Sequence, residues 1–224
     1  MFERPEYICY RAAEPITIDG RLDEPSWAGA PAIELVIADT GGPARQRTEA
    51  RLLWDDDYLY ASFVCQDHDI WGITRLRDQA IYDQEVVELF VDDNCDGHGY
   101  IEIEVSPLNA VLDLYMLKRG EHQRGLWDWV SEGMLTAVQV DGDPTRRGTA
   151  DRSWTVEIAV PMADFMTAPH VPPQPGDVWF GNLYRIDRAT DGDEYTAWSP
   201  PGRINYHTPE RFGRIVFSAK LAAE

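Results

Sequence analysis

Apolar and polar residues alternate along much of this chain, the period of a strand with one dry and one wet face. Ala50, Leu52 and Trp54 alternate with polar neighbours, and the run from Tyr58 to Cys65 follows after Asp55-Asp56-Asp57, which predicts a hairpin. EVVELFVD, Glu85 to Asp92, leads through the turn-rich Asp93-Asn94-Cys95-Asp96-Gly97-His98-Gly99 into YIEIEVS, where Ile101, Ile103 and Val105 alternate with Glu102 and Glu104. That spacing predicts a second hairpin, with Glu102 and Glu104 on the solvated face of its second strand. Further alternating runs are Val111 to Met116, Ser153 to Val160, Val178 to Arg185 and Arg214 to Phe217.

Strands at this density, joined by Pro/Gly turns, predict an all-β chain. The expected architecture is a two-sheet antiparallel β-sandwich, of jelly-roll or immunoglobulin-like type, with few short helical turns. The one helix-start signal is Asp23-Glu24-Pro25-Ser26-Trp27, an acid ahead of a proline. Gly41-Gly42-Pro43 and the stretch from Gly142 to Gly148 read as exposed loops. Repeats, low-complexity tracts and linkers are absent from the sequence, so a single domain over residues 1–224 is expected.

Composition sets outer bounds. With 224 residues, 44% hydrophobic content and eight tryptophans, the chain has material for a sizeable core. Acids outnumber bases 39 to 20, for a net charge of -19, which repels phosphate backbones and anionic lipid alike and argues against nucleic-acid and membrane partners. Cys9, Cys65 and Cys95 are odd in number and lack CxxC spacing, so reduced thiols are expected. The opening MFERPEYICYRAAEP has no basic segment followed by an apolar run; as given, the chain carries no export signal and reads as cytoplasmic, or as secreted or periplasmic if a leader has been removed.

Six segments, taken together and in order, give this sequence a resemblance to the family 9 carbohydrate-binding modules: ITIDGRLDEPSW (16–27), LLWDDDYLYASFVCQD (52–67), DQEVVELFVDDN (83–94), WTVEIAVP (154–161), WFGNLYRID (179–187) and WSPPGRINYHTPERFGRIVF (198–217). They cover roughly residues 14 to 218. The resemblance implies a β-sandwich that holds a mono- or oligosaccharide, often by its reducing end, between two aromatic side chains, with structural calcium nearby and without bond cleavage. Xylanases and other glycoside hydrolases acting on the same polysaccharide are the implied partners. By the same resemblance, the first stacking aromatic falls on Tyr82, six residues before Glu88, and the second on Tyr206. Glu88 matches an acid that hydrogen-bonds sugar hydroxyls, and Tyr184 stands where some members place a glutamine. The family's arginine near the following strand is not matched, since Glu104 or a neighbour occupies that region, and Arg185, Arg203 and Arg77 are the candidate replacements.

The residues support such a site on their own chemistry. Sugars offer C–H faces to aromatic rings and hydroxyls to carboxylates, amides and arginines. Tyr82 and Tyr206 lie in polar, loop-like settings where a large ring is harder to explain as core; the plain alternative is a tyrosine that anchors its loop. Glu88 alternates with Val86 and Phe90 and needs a partner, for which a buried pair with Arg185 is the structural alternative. Trp27, Trp54, Trp154, Trp179 and Trp198 read as packing, while Trp71, Trp127 and Trp129 stay open as extensions of a groove. Asp92, Asn94 and Asp96 have the oxygen spacing of a calcium loop, with Ile103 in place of the closing glutamate of a helix-loop-helix site; a polar hairpin turn is the alternative. Two rival functions are a glycoside hydrolase using Glu85 with Glu88, or Glu102 with Glu104, and a haem-binding sandwich.

Overall fold

The computed structural model describes residues 2–120, 122–148 and 150–222. Fourteen strands appear in order: β1 (Glu6–Arg11), β2 (Ile33–Glu34), β3 (Val36–Ile37), β4 (Thr48–Trp54), β5 (Tyr58–Gln66), β6 (Val86–Asp92), β7 (Gly99–Val105), β8 (Val111–Arg119), β9 (His122–Leu126), β10 (Leu135–Asp141), β11 (Ser153–Pro161), β12 (Val178–Ala189), β13 (Gly192–Ala197) and β14 (Gly213–Leu221). The one α-helix among the described residues, Pro25–Gly29, starts at the proline that the sequence marks.

The strands form one hydrogen-bonded path, β10-β11-β5-β4-β1-β14-β12-β6-β7-β8-β9, with β13 beside β12 and β2 beside β4. The path folds over itself as a sandwich. Phe63, Trp154, Val156 and Ile158 from one half share a buried cluster with Val87, Leu89, Ile101, Ile103 and Trp179 from the other. An all-antiparallel arrangement does not hold throughout. Glu6 to Cys9 of β1 run parallel to β14, and Tyr10 and Arg11 run parallel to β4. The register slips between Cys9 and Arg11, where the strand passes from one half to the other.

Trp27, Trp54, Trp154 and Trp179 are buried, and Trp198 is half-buried over Gly213, where a Cβ would lie 2.5 Å from its ring. Strands β9 and β13, outside the runs picked out by periodicity, carry mostly polar residues. Such composition suits a sheet edge, but it leaves no alternation to read.

A second layer covers the outer face of β6, β7, β8 and β12. On that face Phe90, Tyr100, Leu112, Leu114, Met116, Tyr184 and Ile186 pack with Tyr206 and Phe212 from the 198–212 segment. This cover corrects the expectation of a wet face, since Glu102 and Glu104 lie beneath it and are buried.

Candidate functional site

Strand alternation decides which side chains meet. In β6, Val87, Leu89 and Val91 point into the sandwich and Glu88 points outward; in β7, Ile101 and Ile103 point inward and Glu102 and Glu104 outward. Glu88 stands directly opposite Glu104 across the β6–β7 ladder. The ligand oxygens of Glu88, Glu102 and Glu104 lie within 4.8 Å of one another, and the three residues are 1 to 4% exposed. They form the floor of a cavity of about 500 Å³ whose walls include Tyr82, Trp127, Tyr195, Tyr206 and Ile186. That volume lies within the range of small-ligand clefts, about 300 to 1,000 Å³.

Burial dominates the electrostatics. It raises the carboxyls of Glu88 and Glu104 well above their usual range, with the neighbouring acids adding to the shift, and it pushes Glu102 up to about 8. The three groups share protons as a unit. His207, hydrogen-bonded through Nδ1 to the Tyr100 hydroxyl at 2.9 Å, is pushed down to about 4 by burial and then by Lys118, so it is neutral at pH 7. Tyr82 feels Asp83, Glu104 and Glu102, after burial, as a raised phenol.

The sequence candidates divide. Tyr82, Glu88 and Tyr206 all line the cavity. Tyr82 keeps 38% of its surface exposed, but Tyr206 keeps only 8%, because one face stacks on Tyr184 at 4.0 Å and its hydroxyl donates to the Arg185 carbonyl at 2.8 Å. Tyr184 lies fully buried behind Tyr206 and donates its own hydroxyl to the Tyr206 carbonyl, out of reach of a ligand. Arg185, adjacent in sequence, must point the opposite way. It sits in the interior, 1% exposed, opposite Val87, with Nη2 2.7 Å from Asp67 and 3.5 Å from Asp187. The Glu88–Arg185 pair is therefore replaced by one between Arg185 and Asp67.

Glu85 joins that same interior group with Asp67 and Asp187, so it cannot work with Glu88 on the outer face. Arg77 binds Asp113 at 2.6 Å. Arg203 donates to the Thr208 hydroxyl and lines an adjoining recess with Lys118. Trp127, 48% exposed just beyond β9, supplies a wall that the sequence left open among three loop tryptophans.

The three residues of the expected calcium set accept hydrogen bonds within their own turn. Asp92 accepts from the Asp96 and Gly97 amides at 3.3 and 2.9 Å, and Asp96 accepts from the His98 amide at 2.6 Å and the Asn94 side chain at 3.1 Å. Asn94 accepts from the Asp96 amide at 3.0 Å. These bonds close the β6–β7 turn, as a polar hairpin turn requires.

A sandwich with a roofed, aromatic-walled cavity on one outer face defines a small-ligand-binding domain. The chain belongs to the carbohydrate family 9 binding domain-like family, whose match spans residues 18–220. It is accordingly a non-catalytic domain of a carbohydrate-binding family. It is similar to endo-1,4-β-xylanase A of Thermotoga maritima, with 23% identity over 205 residues; these cover 88% of this chain and 16% of that enzyme, so the chain spans only a small part of the xylanase. Among solved structures, a Bacteroides uniformis protein provisionally described as carbohydrate-binding superposes with a TM-score of 0.78 at 17% identity, covering 96% of this chain and all of that one. A family 9 carbohydrate-binding module of Caldicellulosiruptor kristjanssonii, solved with cellotriose, gives a TM-score of 0.65 at 16% identity, covering 95% of this chain and 94% of that one.

Proposed function

We propose that the outer-face cavity holds a mono- or oligosaccharide of the plant-polysaccharide type, taken at one end of the chain and left uncleaved. The observation that carries this reading is the pairing of partly exposed rings, Tyr82 and Trp127, with a buried acidic floor in one cavity of about 500 Å³. Rings accept the C–H face of a pyranose, and the Gln123 and Asn205 side chains at the wall offer amide donors and acceptors for hydroxyls. Tyr206 stays in the wall with one face stacked on Tyr184, and the more exposed Trp127 takes the place of the second platform. The module of C. kristjanssonii was solved with cellotriose and the T. maritima relative is a xylanase, which together favour a β-linked glucan or xylan end and a partner glycoside hydrolase.

Calorimetric titration with cello-, xylo- and manno-oligosaccharides, with reducing-end assays on the recovered sugars, tests the reading. Saturable binding without new reducing ends is expected. Tyr82→Ala and Trp127→Ala should each cost about 1 to 3 kcal/mol of affinity in a folded protein. Unchanged affinity in both variants would sink the reading.

A further inference from the structure

The floor of the cavity narrows the ligand further, on the premise that a saccharide is what binds there. This floor is three carboxyl groups, and among the described residues no lysine or arginine lines the cavity with them. Glu102 and Glu104 interact with each other, His207 Nδ1 lies 3.9 Å from Glu102 Oε2, and Oε2 of each glutamate is buried with no hydrogen bond from outside the trio. The lining imidazole, His207, carries no charge at neutral pH.

The nearest cations lie outside this lining, with Lys118 and Arg203 in the adjoining recess and Arg203 hydrogen-bonded to the Thr208 hydroxyl. Arg188, whose charge reaches Glu88, is bound to Asp193, to the Tyr195 hydroxyl and to the Tyr82 carbonyl at 3.0 Å. Lys118 donates to the His207 carbonyl and lies 3.6 Å from Glu210.

Directly opposed acids under a roof are a costly arrangement unless something positive joins them. A bare divalent cation is a poor fit. It asks for six or more oxygens around it, while Leu114, Met116, Ile186 and the aromatic walls offer carbon. An ammonium group asks for less. It brings three N–H donors to the carboxylates, and its charge is also favoured by ring faces.

We propose that the cavity selects a saccharide with a free primary amine, a hexosamine, whose ammonium docks on Glu88, Glu102 and Glu104 while its ring lies against Tyr82 and Trp127. Docking an ammonium, which already carries its own proton, favours the ionised form of the trio, so the proton the trio held leaves to the buffer.

The experiment is calorimetry near pH 7 with glucosamine, glucose, N-acetylglucosamine and calcium chloride as separate titrants, repeated in two buffers of different ionisation enthalpy. Glucosamine should bind at least about tenfold tighter than glucose and N-acetylglucosamine, as expected for a charge-assisted contact. Its apparent enthalpy should change with the buffer. In the Glu102→Gln/Glu104→Gln double variant, the glucosamine-to-glucose affinity ratio should fall to within about threefold of one. Folding of the variant is checked by its thermal melt; the buffer experiment on the unaltered protein stands independently of it.

Equal affinities for glucosamine and glucose overturn the amine preference and leave the saccharide reading intact. A ratio unchanged in the double variant, or no proton release, overturns the role of the trio. Saturable calcium binding that blocks glucosamine marks the trio as a metal site and overturns the proposal. No binding of any sugar refutes both this inference and the reading on which it rests.

Discussion

Replacing Glu104 with glutamine should stabilise the protein by an amount that grows with pH. Glu104 is almost completely buried opposite Glu88 and two residues from Glu102, and Asp83 adds a further negative charge. Burial, then these acids, hold its carboxyl well above 4.5, so the folded protein keeps this proton to a higher pH than the unfolded chain, which loses it near 4.5. The folded-state pKa is the higher one. The fold therefore has its full stability below about pH 4.5 and loses roughly 1.4 kcal/mol per pH unit above it, for as long as the proton is held.

Ionising the group instead offers no escape. Two charges within 4.8 Å repel by about 3.5 kcal/mol at an effective dielectric of about 20. Glutamine keeps the shape and removes the titration. Urea unfolding of both proteins at pH 4.5 and pH 7 should give nearly equal stabilities at the lower pH and a difference in favour of the variant at the higher, growing by up to about 1.4 kcal/mol per pH unit. A difference that is the same at both pH values would mean that Glu104 is ionised in the folded state, and the reasoning would fail.

Glu157→Ala should cost about 2 to 3 kcal/mol in urea unfolding, because Glu157 accepts from the Trp27 indole at 2.9 Å and from the Gly20 and Asp19 amides at 2.7 and 3.0 Å. Arg185→Ala should cost about 3 to 5 kcal/mol by leaving Asp67 and Asp187 buried without their cation; sugar affinity of the folded fraction, measured by calorimetry, should hold, since Arg185 does not line the cavity. Tyr184→Phe removes the hydroxyl that donates to the Tyr206 carbonyl at 3.0 Å and should lower unfolding stability by about 1 kcal/mol.

Much of this architecture is written in local periodicity. The β4–β5 and β6–β7 hairpins fall where alternating runs meet Asp- and Gly-rich turns. β1 is different, because its parallel partners β14 and β4 are set by packing across the whole chain rather than by its own six residues. The site is legible in the same uneven way. Tyr82 and Glu88 follow from the order of the motifs, but Tyr184 and Arg185, as neighbours on one strand, could never have faced one ligand together, a restriction that alternation alone imposes.

The misreading of Glu102 and Glu104 as a wet face has a more instructive cause. Alternation says which residues share a face; it does not say whether the face is covered. The covering residues Tyr206 and Phe212 come from far along the chain. The signal lay in the company the acids keep. Phe90, Tyr100, Leu112, Leu114, Met116, Tyr184 and Ile186 occupy the same outer positions. A solvated face does not carry so many large apolar side chains, so those positions call for a roof. Acids set among them beneath that roof are costly to the fold, which makes them candidates for a ligand rather than for solvent.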